Sequence, residues 1–453
     1  VTDAPAPLPG PARFGAWGMA RFVFRPIPLL RELQARYGDS VLLPGRPPMV
    51  WLGEPDAVRD LFAGDPEVLL AGPANEVMEG VLGRGSMFLL DGAAHRRERR
   101  LLMPAFHGAR MRAWTADIRR AAREEVARWP IGAPFAFLEA MQAVTLEVMV
   151  RNVFGVDGAA SAAPLRERLR ALIPLAQDPL LFLLATWFGS ARVRRFLDRW
   201  TLPVPLPGVR MARLLRELDV LLRAEFAERR LAGLDQRSDV LSTLLGARDE
   251  EGRGLSDEEL RDETVTLLIA GHDTSAIALC WALHHLLANP EVLTRLRAEV
   301  EAAAAPEDAD DALSKLPYLD AVLQESMRLT PLVPVIQRVT RAPVRLGRYE
   351  VPAGALVMAH TWAVHHRPEL YPEPERFRPE RFLERKFGPH EHFPFGGGAR
   401  RCAGAAFAAL STKLVLAEVV RGAELVADGP VTVERRGVLL APSGGLRVRR
   451  VAP

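Results

Sequence analysis

Residues 393–404 read FPFGGGARRCAG, setting Cys402 behind three consecutive glycines and a pair of arginines, on the threshold of an apolar run with helical spacing that ends before Gly422. The chain holds one other cysteine, Cys280. A thiol at a helix N-terminus sits among unpaired N–H groups at the positive end of the helix dipole, which favours the thiolate. Arg400 and Arg401 add positive charge. Gly396, Gly397 and Gly398 permit a tight turn, and Gly404 removes a side chain where the helix could meet something flat and bulky. Such a thiolate suits a soft metal or a nucleophilic role. The residues alone leave a glycine loop with an incidental buried cysteine as the alternative. A phosphate loop is excluded because no Gly-Lys-Ser/Thr follows. A zinc site lacks a second cysteine or histidine at ligand spacing.

Composition narrows the class. No linker, repeat or composition shift divides the 453 residues, and 49% hydrophobic content can fill one large core. A single domain over 1–453 is expected, with 1–28 as a proline-rich N-terminal segment. The formal charge is +3, from 59 basic and 56 acidic residues, so a chain-wide pull towards nucleic acid is not indicated. Two cysteines form no disulfide framework and fit a reducing compartment. The most apolar stretch, PLLFLLATWFG at 179–189, is too short for a membrane span. No secretory signal or membrane anchor is read at the N-terminus. These features predict a soluble cytoplasmic protein.

Helical patterns dominate, so the fold class is mainly α with small β-sheets at both ends. Short helices are expected at 28–38 and 56–63, two strands within 40–53, and helices over about 93–250, broken by loops at 129–135 and 202–208. Residues 343–357 read as a hairpin region, 365–382 as irregular because of their prolines, and 431–450 as a closing hairpin. The longest helix starts at Ser256, where Ser256 and Glu259 form a capping box, and stops at Asn289-Pro290.

Three further constellations carry chemistry. Midway along that helix, LLIAGHDTSAIAL (267–279) embeds Gly271, His272, Asp273 and Thr274 in an apolar strip. Threonine and aspartate can bond to the preceding turn and open a groove, and acid beside alcohol could pass protons; a polar helix face with a packing glycine is the bland alternative. In QESMR, Glu325 and Arg328 stand i, i+3 and can pair, with Arg376 of the first PERF as a third partner. A second PERF lies at 379–382. In DGAAHRRERR, His95 and Arg99 stand i, i+4 and could serve an anionic cofactor edge or simply a solvated basic face.

Taken together, the four motifs resemble the cytochrome P-450 family over nearly the whole chain. Phe395, Gly398, Cys402 and Gly404 match its haem-binding loop, Phe-x-x-Gly-x-x-x-Cys-x-Gly. Glu325 and Arg328 match its Glu-x-x-Arg, Ala270, Gly271, Asp273 and Thr274 its Ala-Gly-x-Asp-Thr, and His95 and Arg99 its His-x-x-x-Arg. The resemblance implies a haem b cofactor with Cys402 as the thiolate ligand of its iron, pushing electron density that favours O–O cleavage. It implies that Phe395, Gly398, Gly404, Ala270 and Gly271 adjoin the haem. His95, Arg99, Arg338 and Arg400 would hold the propionates, with His392 as a substitute for Arg338. Thr274 and Asp273 would deliver protons for dioxygen activation, and Glu325, Arg328 and Arg376 would be structural. Arg401 receives no role.

The implied activity is a soluble bacterial monooxygenase, expected as a monomer, placing one oxygen atom from O2 into a lipophilic substrate. Electrons would come from a separate ferredoxin and ferredoxin reductase, or a flavodoxin-type donor, since no reductase is read in the chain. The segments that line the family's pocket supply Ser86, Met87, Phe88 and Leu89 before His95, and Leu180 and Phe182 mid-chain. They also supply Leu267, Leu268 and Ala270 on the long helix, Leu332, Val333 and Val335 after Glu-x-x-Arg, and Leu440 near the C-terminus. That set is nearly all apolar and implies a fatty acid, terpenoid, steroid or polyketide. Two rivals are a peroxide-driven or isomerising enzyme of the same fold, which the Asp273-Thr274 pair argues against, and a non-catalytic haem gas-binding protein.

Overall fold

Ser256 opens the longest helix as expected: its hydroxyl accepts from the Glu259 N–H at 3.2 Å while Glu259 accepts from the Ser256 N–H at 2.7 Å. The computed structural model describes residues 6–106, 111, 113–155, 163–198, 206–234, 237, 239–303 and 309–452. This central helix spans Asp257–Ala288, 32 residues, with Asn289 as its C-cap and Pro290 beyond. It is long and apolar enough to cross a membrane, yet 72% of its most apolar window is buried inside the fold. It packs against the helices Phe137–Phe154, Pro317–Leu329 and Ala405–Gly422. Side chains such as Ile118, Met141, Leu218, Ile277 and Leu414 fill the main core around it.

The β structure is small but joins distant segments. β1 (Val41–Leu43), β2 (Met49–Leu52) and β3 (Leu69–Leu70) share one sheet with β5 (Val335–Thr340) and β8 (Leu356–His360), in the order β1-β2-β8-β5-β3. β2 and β8 run parallel, and β8 and β5 antiparallel. β4 (Pro134–Ala136) pairs with β12 (Arg447–Ala452), which also pairs with β9 (Glu424–Ala427). β6 (Val344–Leu346) and β7 (Tyr349–Val351) form one hairpin, β10 (Val433–Arg436) and β11 (Leu439–Pro442) another.

Three expectations change. The N-terminal segment is not merely a proline-rich lead: Ala16–Phe24 is a helix, followed at once by the helix Pro26–Tyr37, which stops at Gly38 as read. The loop at 129–135 runs into strand β4. The closing residues make a hairpin and then a separate strand, β12, in another sheet. Of the loop expected at 202–208, residues 202–205 lie outside the described residues.

Candidate functional site

Cys402 lies in the turn just before the helix Ala405–Gly422, whose N-cap is Gly404. The Cys402 N–H donates to the Phe395 carbonyl at 2.9 Å, closing the loop on itself. Gly396 and Gly398 adopt φ of 68° and 62°, the left-handed region that favours glycine. Two of the glycines are required by the protein's own packing. A Cβ on Gly397 would strike the Phe62 ring, and one on Gly398 the Phe62 carbonyl. Only Gly404 faces open space. The residue surface of Cys402 is exposed. Protein nonetheless crowds the sulfur enough that burial pushes the thiol up, opposed by the Gly404 N–H and then by Arg99 and Arg401. Desolvation therefore opposes the helix end and the arginines at this sulfur, and a bound cation would favour the thiolate.

The centre of the long helix Asp257–Ala288 has an open stripe. Ala270 is exposed and Leu267 and Thr274 are partly exposed, while their neighbours Leu268, His272, Asp273 and Ser275 are buried. The spacing i, i+3, i+7 puts the three on one face. The Thr274 hydroxyl donates to the Ala270 carbonyl at 2.5 Å, as the helix-bending reading expects. Asp273 points off this face at 1% exposure. The Gln142 amide donates to one of its carboxylate oxygens at 2.6 Å, and the Gln177 amide donates to the other. His272 sits 2.9 Å from the Thr145 hydroxyl, with burial holding its ring down to about 4. Gly271 allows close helix packing: a Cβ there would lie 2.7 Å from the Met149 sulfur on the helix Phe137–Phe154.

Four basic side chains from three elements converge. His95 and Arg99 come from the helix Gly92–Leu102, Arg338 from β5, and Arg400 from the cysteine loop. Burial, then the charges of Arg400, Arg99 and Arg338, hold His95 down to about 4. Burial and the Arg400 charge hold Arg338 down to about 10. Arg400 pairs with Asp91 and also donates to the carbonyls of Met87 and Leu90. Arg338 is 6% exposed and donates to the Gln337 carbonyl at 2.6 Å. Among the described residues, neither Arg338 nor Arg99 has a carboxylate at ion-pair distance. A buried excess of positive charge is costly without an anion.

The sequence pattern of the family described as Cytochrome P-450 matches residues 7–446. The chain belongs to the cytochrome P-450 family. It is 36% identical over 447 residues to a Mycobacterium tuberculosis protein named cytochrome P-450 135B1, covering 97% of this chain and 90% of that one. A second M. tuberculosis relative, named cytochrome P-450 137, is 34% identical over 459 residues, covering 98% and 90%. The solved structure of retinoic acid bound cyanobacterial CYP120A1 superposes with a TM-score of 0.81 at 24% identity, covering 99% of each chain, which supports the fold. The protein is a P-450 monooxygenase with a haem cofactor, drawing on O2, a substrate and redox partners. Its residues fit that group: the unneutralised cations suit a dianionic edge, the helix stripe and Gly404 leave open faces, and Cys402 is accessible.

The P-450 Glu-x-x-Arg network needs one correction. Glu325 and Arg328, both 0% exposed, pair at 2.6 Å, and the third arginine is Arg381, which reaches Glu325 at 3.2 Å. The Arg376 side chain is 64% exposed and faces Glu373; only its backbone carbonyl accepts from Arg328 and Arg381. The second PERF signalled this. His392 is also corrected: it stacks on His365 at 5.1 Å and lies by Phe382, beside the Glu325 network, and not with the cations around His95.

The pocket candidates divide. Met87, Leu89, Leu332, Val333 and Phe182 are partly exposed, and Phe88 is 44% exposed. Leu268 is 0% exposed within the main core and leaves the set. Ser86 is equally buried and leaves it too, since its hydroxyl accepts from Thr266 at 2.8 Å and from the Phe88 N–H. Val335 and Leu440 are buried in strands. The side chain of Leu180 lies outside the described residues. Buried Glu263 accepts from the Met87 N–H and Asp262 from the Gly85 N–H at 2.7 Å, strapping this loop to the central helix. No sequence signal singled out Gln142, Gln177 or Asp91.

Proposed function

We propose that this P-450 inserts one oxygen atom from O2 into a lipophilic substrate by hydroxylation or epoxidation, using haem b. The observation that carries the reading is the uncompensated charge of Arg99 and Arg338, assembled with neutral His95 and Asp91-paired Arg400 around the loop that bears Cys402. When bound, the haem supplies dioxygen activation and oxygen insertion. Cys402 is its thiolate ligand, and Arg99, Arg338 and Arg400 meet its two propionates by charge-assisted hydrogen bonds, with neutral His95 as a further N–H donor. Ala270 gives a flat, methyl-only surface for the ring.

Thr274 and Asp273 move protons. With its own hydrogen held by the Ala270 carbonyl, the Thr274 oxygen can accept a hydrogen bond in the cleft. Asp273, held by Gln142 and Gln177 on the far side of the helix, is the relay: it takes up a proton from solvent, releases those amide contacts and rotates about its χ1 to give the proton up on the cleft side. Met87, Leu267 and Leu332 exclude water from the reaction. The intact acid–alcohol pair favours O2 over a peroxide-driven cycle. The electron donor is an acidic ferredoxin docking where Arg401 is exposed, while Arg400 turns inward to Asp91 and takes no part in that surface.

Thr274→Ala tests the proton route. Product formed per electron consumed should fall several-fold and peroxide release rise, with substrate affinity unchanged. Unaltered coupling removes Thr274 from the mechanism.

A further inference from the structure

The β10–β11 hairpin sets Arg435 directly across from Leu440, so the two side chains share a face. The Leu440 N–H donates to the Leu332 carbonyl at 2.8 Å, and the Trp281 indole donates to the Leu440 carbonyl at 3.0 Å. That face is thereby tied to the segment after Pro331 and to the central helix. The Arg435 guanidinium is wedged between two rings, 5.3 Å from Phe22 and 5.5 Å from Phe182. Its Nε donates to the Gly437 carbonyl at 2.9 Å and one terminal nitrogen to the Phe22 carbonyl at 2.8 Å.

What Arg435 lacks is an acid. Buried Arg119 pairs with Glu418 at 2.6 Å, Arg229 with Glu225 at 2.6 Å, and Arg328 with Glu325 at 2.6 Å. No described carboxylate comes within ion-pair distance of Arg435, and its neighbour Glu434 lies instead 3.9 Å from Arg436. Its other terminal nitrogen makes no hydrogen bond among the described residues. Burial alone holds it down to about 10, and burial is also the larger cause for Arg338 in the propionate cluster. A half-buried guanidinium with a donor unused among the described residues, flanked by aromatic faces, is built for a planar anion that arrives attached to something apolar.

We propose that Arg435 is a specificity-determining residue that binds the free carboxylate of a lipophilic monocarboxylic acid, whose tail passes Phe182 and Leu332 towards the haem. This rests on the monooxygenase reading above and selects, from the apolar guests, those with an acid end.

The test uses the haem-loaded full chain and the substrate-induced shift of the ferric Soret band. Straight-chain acids of graded length are titrated beside their methyl esters. A charge-assisted hydrogen-bond pair corresponds to about 10-fold to 100-fold in affinity. The wild type should bind an acid at least about 10-fold tighter than its ester. Arg435→Leu should abolish that preference by weakening acid binding alone, and Arg435→Lys should keep part of it. A wild type that binds acid and ester alike, or binds none of the acids, overturns the proposal, as does an unchanged preference in Arg435→Leu. The red-displaced band of the reduced carbon monoxide complex, recorded on each sample, reports separately on the haem-thiolate reading and on folding of the variants.

Discussion

Replacing Arg381 with alanine should cost far more than the same change at Arg376, although both sit in a PERF sequence. Arg381 is 4% exposed and binds Glu325 at 3.2 Å, the Glu373 carbonyl at 2.8 Å and the Pro372 carbonyl. Removing it strips a buried carboxylate of one partner and leaves two backbone carbonyls facing a void. Losing one member of a buried ion pair costs about 3–5 kcal/mol. Glu325 keeps Arg328, so the lower end, about 3 kcal/mol, applies. With 453 residues at about 2.1 cal/mol/K each, the unfolding entropy is about 1 kcal/mol/K. Arg381→Ala should therefore lower Tm by about 3 °C. Arg376 makes one exposed ion pair at 3.4 Å, worth less than about 0.5 kcal/mol, so Arg376→Ala should move Tm by under about 0.5 °C. Scanning calorimetry of both variants with haem bound decides between them. Equal shifts, or a larger one for Arg376, would refute the assignment of Arg381.

The glycines of the cysteine loop should separate into two kinds. Gly398→Ala meets the Phe62 carbonyl at positive φ and should lower the stability of the protein whether or not haem is present. Gly404→Ala meets nothing in the protein, so haem-free stability should hold while haem affinity falls; haem titration alongside denaturation reads both. Stability should also peak near pH 6.5. His285, His360, His366 and His392 are held down to about 3, chiefly by burial, and stay neutral when folded, so their contribution is full above 6.5 and lost as pH falls towards 3, outweighing the two glutamates below 6.5. Glu98 and Glu263, pushed up by burial to about 7 and about 8, contribute most below 4.5 and lose that contribution as pH rises through those values. Urea denaturation across pH 4–9 should show both limbs, with Glu263→Gln flattening the alkaline one.

Local chemistry was legible in the sequence and tertiary choice was not. Ser256, Glu259 and Asn289-Pro290 mark both ends of the central helix because caps act within one turn. The helix Ala16–Phe24 escaped notice because nine residues between proline and glycine signals carry too little periodicity. Arg376 and Arg381 stand in identical tetrapeptides, and only the packing of that irregular segment on Glu325 tells them apart. The role of Gly397 and Gly398 depends on Phe62, more than three hundred residues earlier in the chain, so spacing within the loop could not reveal it. Gln142 and Gln177 are single amides with no motif around them; the approach of their segments to the central helix alone makes them partners of Asp273. Leu267 and Leu268 look alike in sequence, and the helical turn of about 100° between them sends one to the open stripe and the other to the core.

The measurement closest to the centre of this account is the absorption of the dithionite-reduced protein under carbon monoxide. Thiolate ligation by Cys402 predicts a Soret band displaced to the red of the globin-like position in the wild type, and loss of that displacement in Cys402→His with haem still bound. A wild-type band at the globin-like position in freshly prepared, folded protein would contradict it.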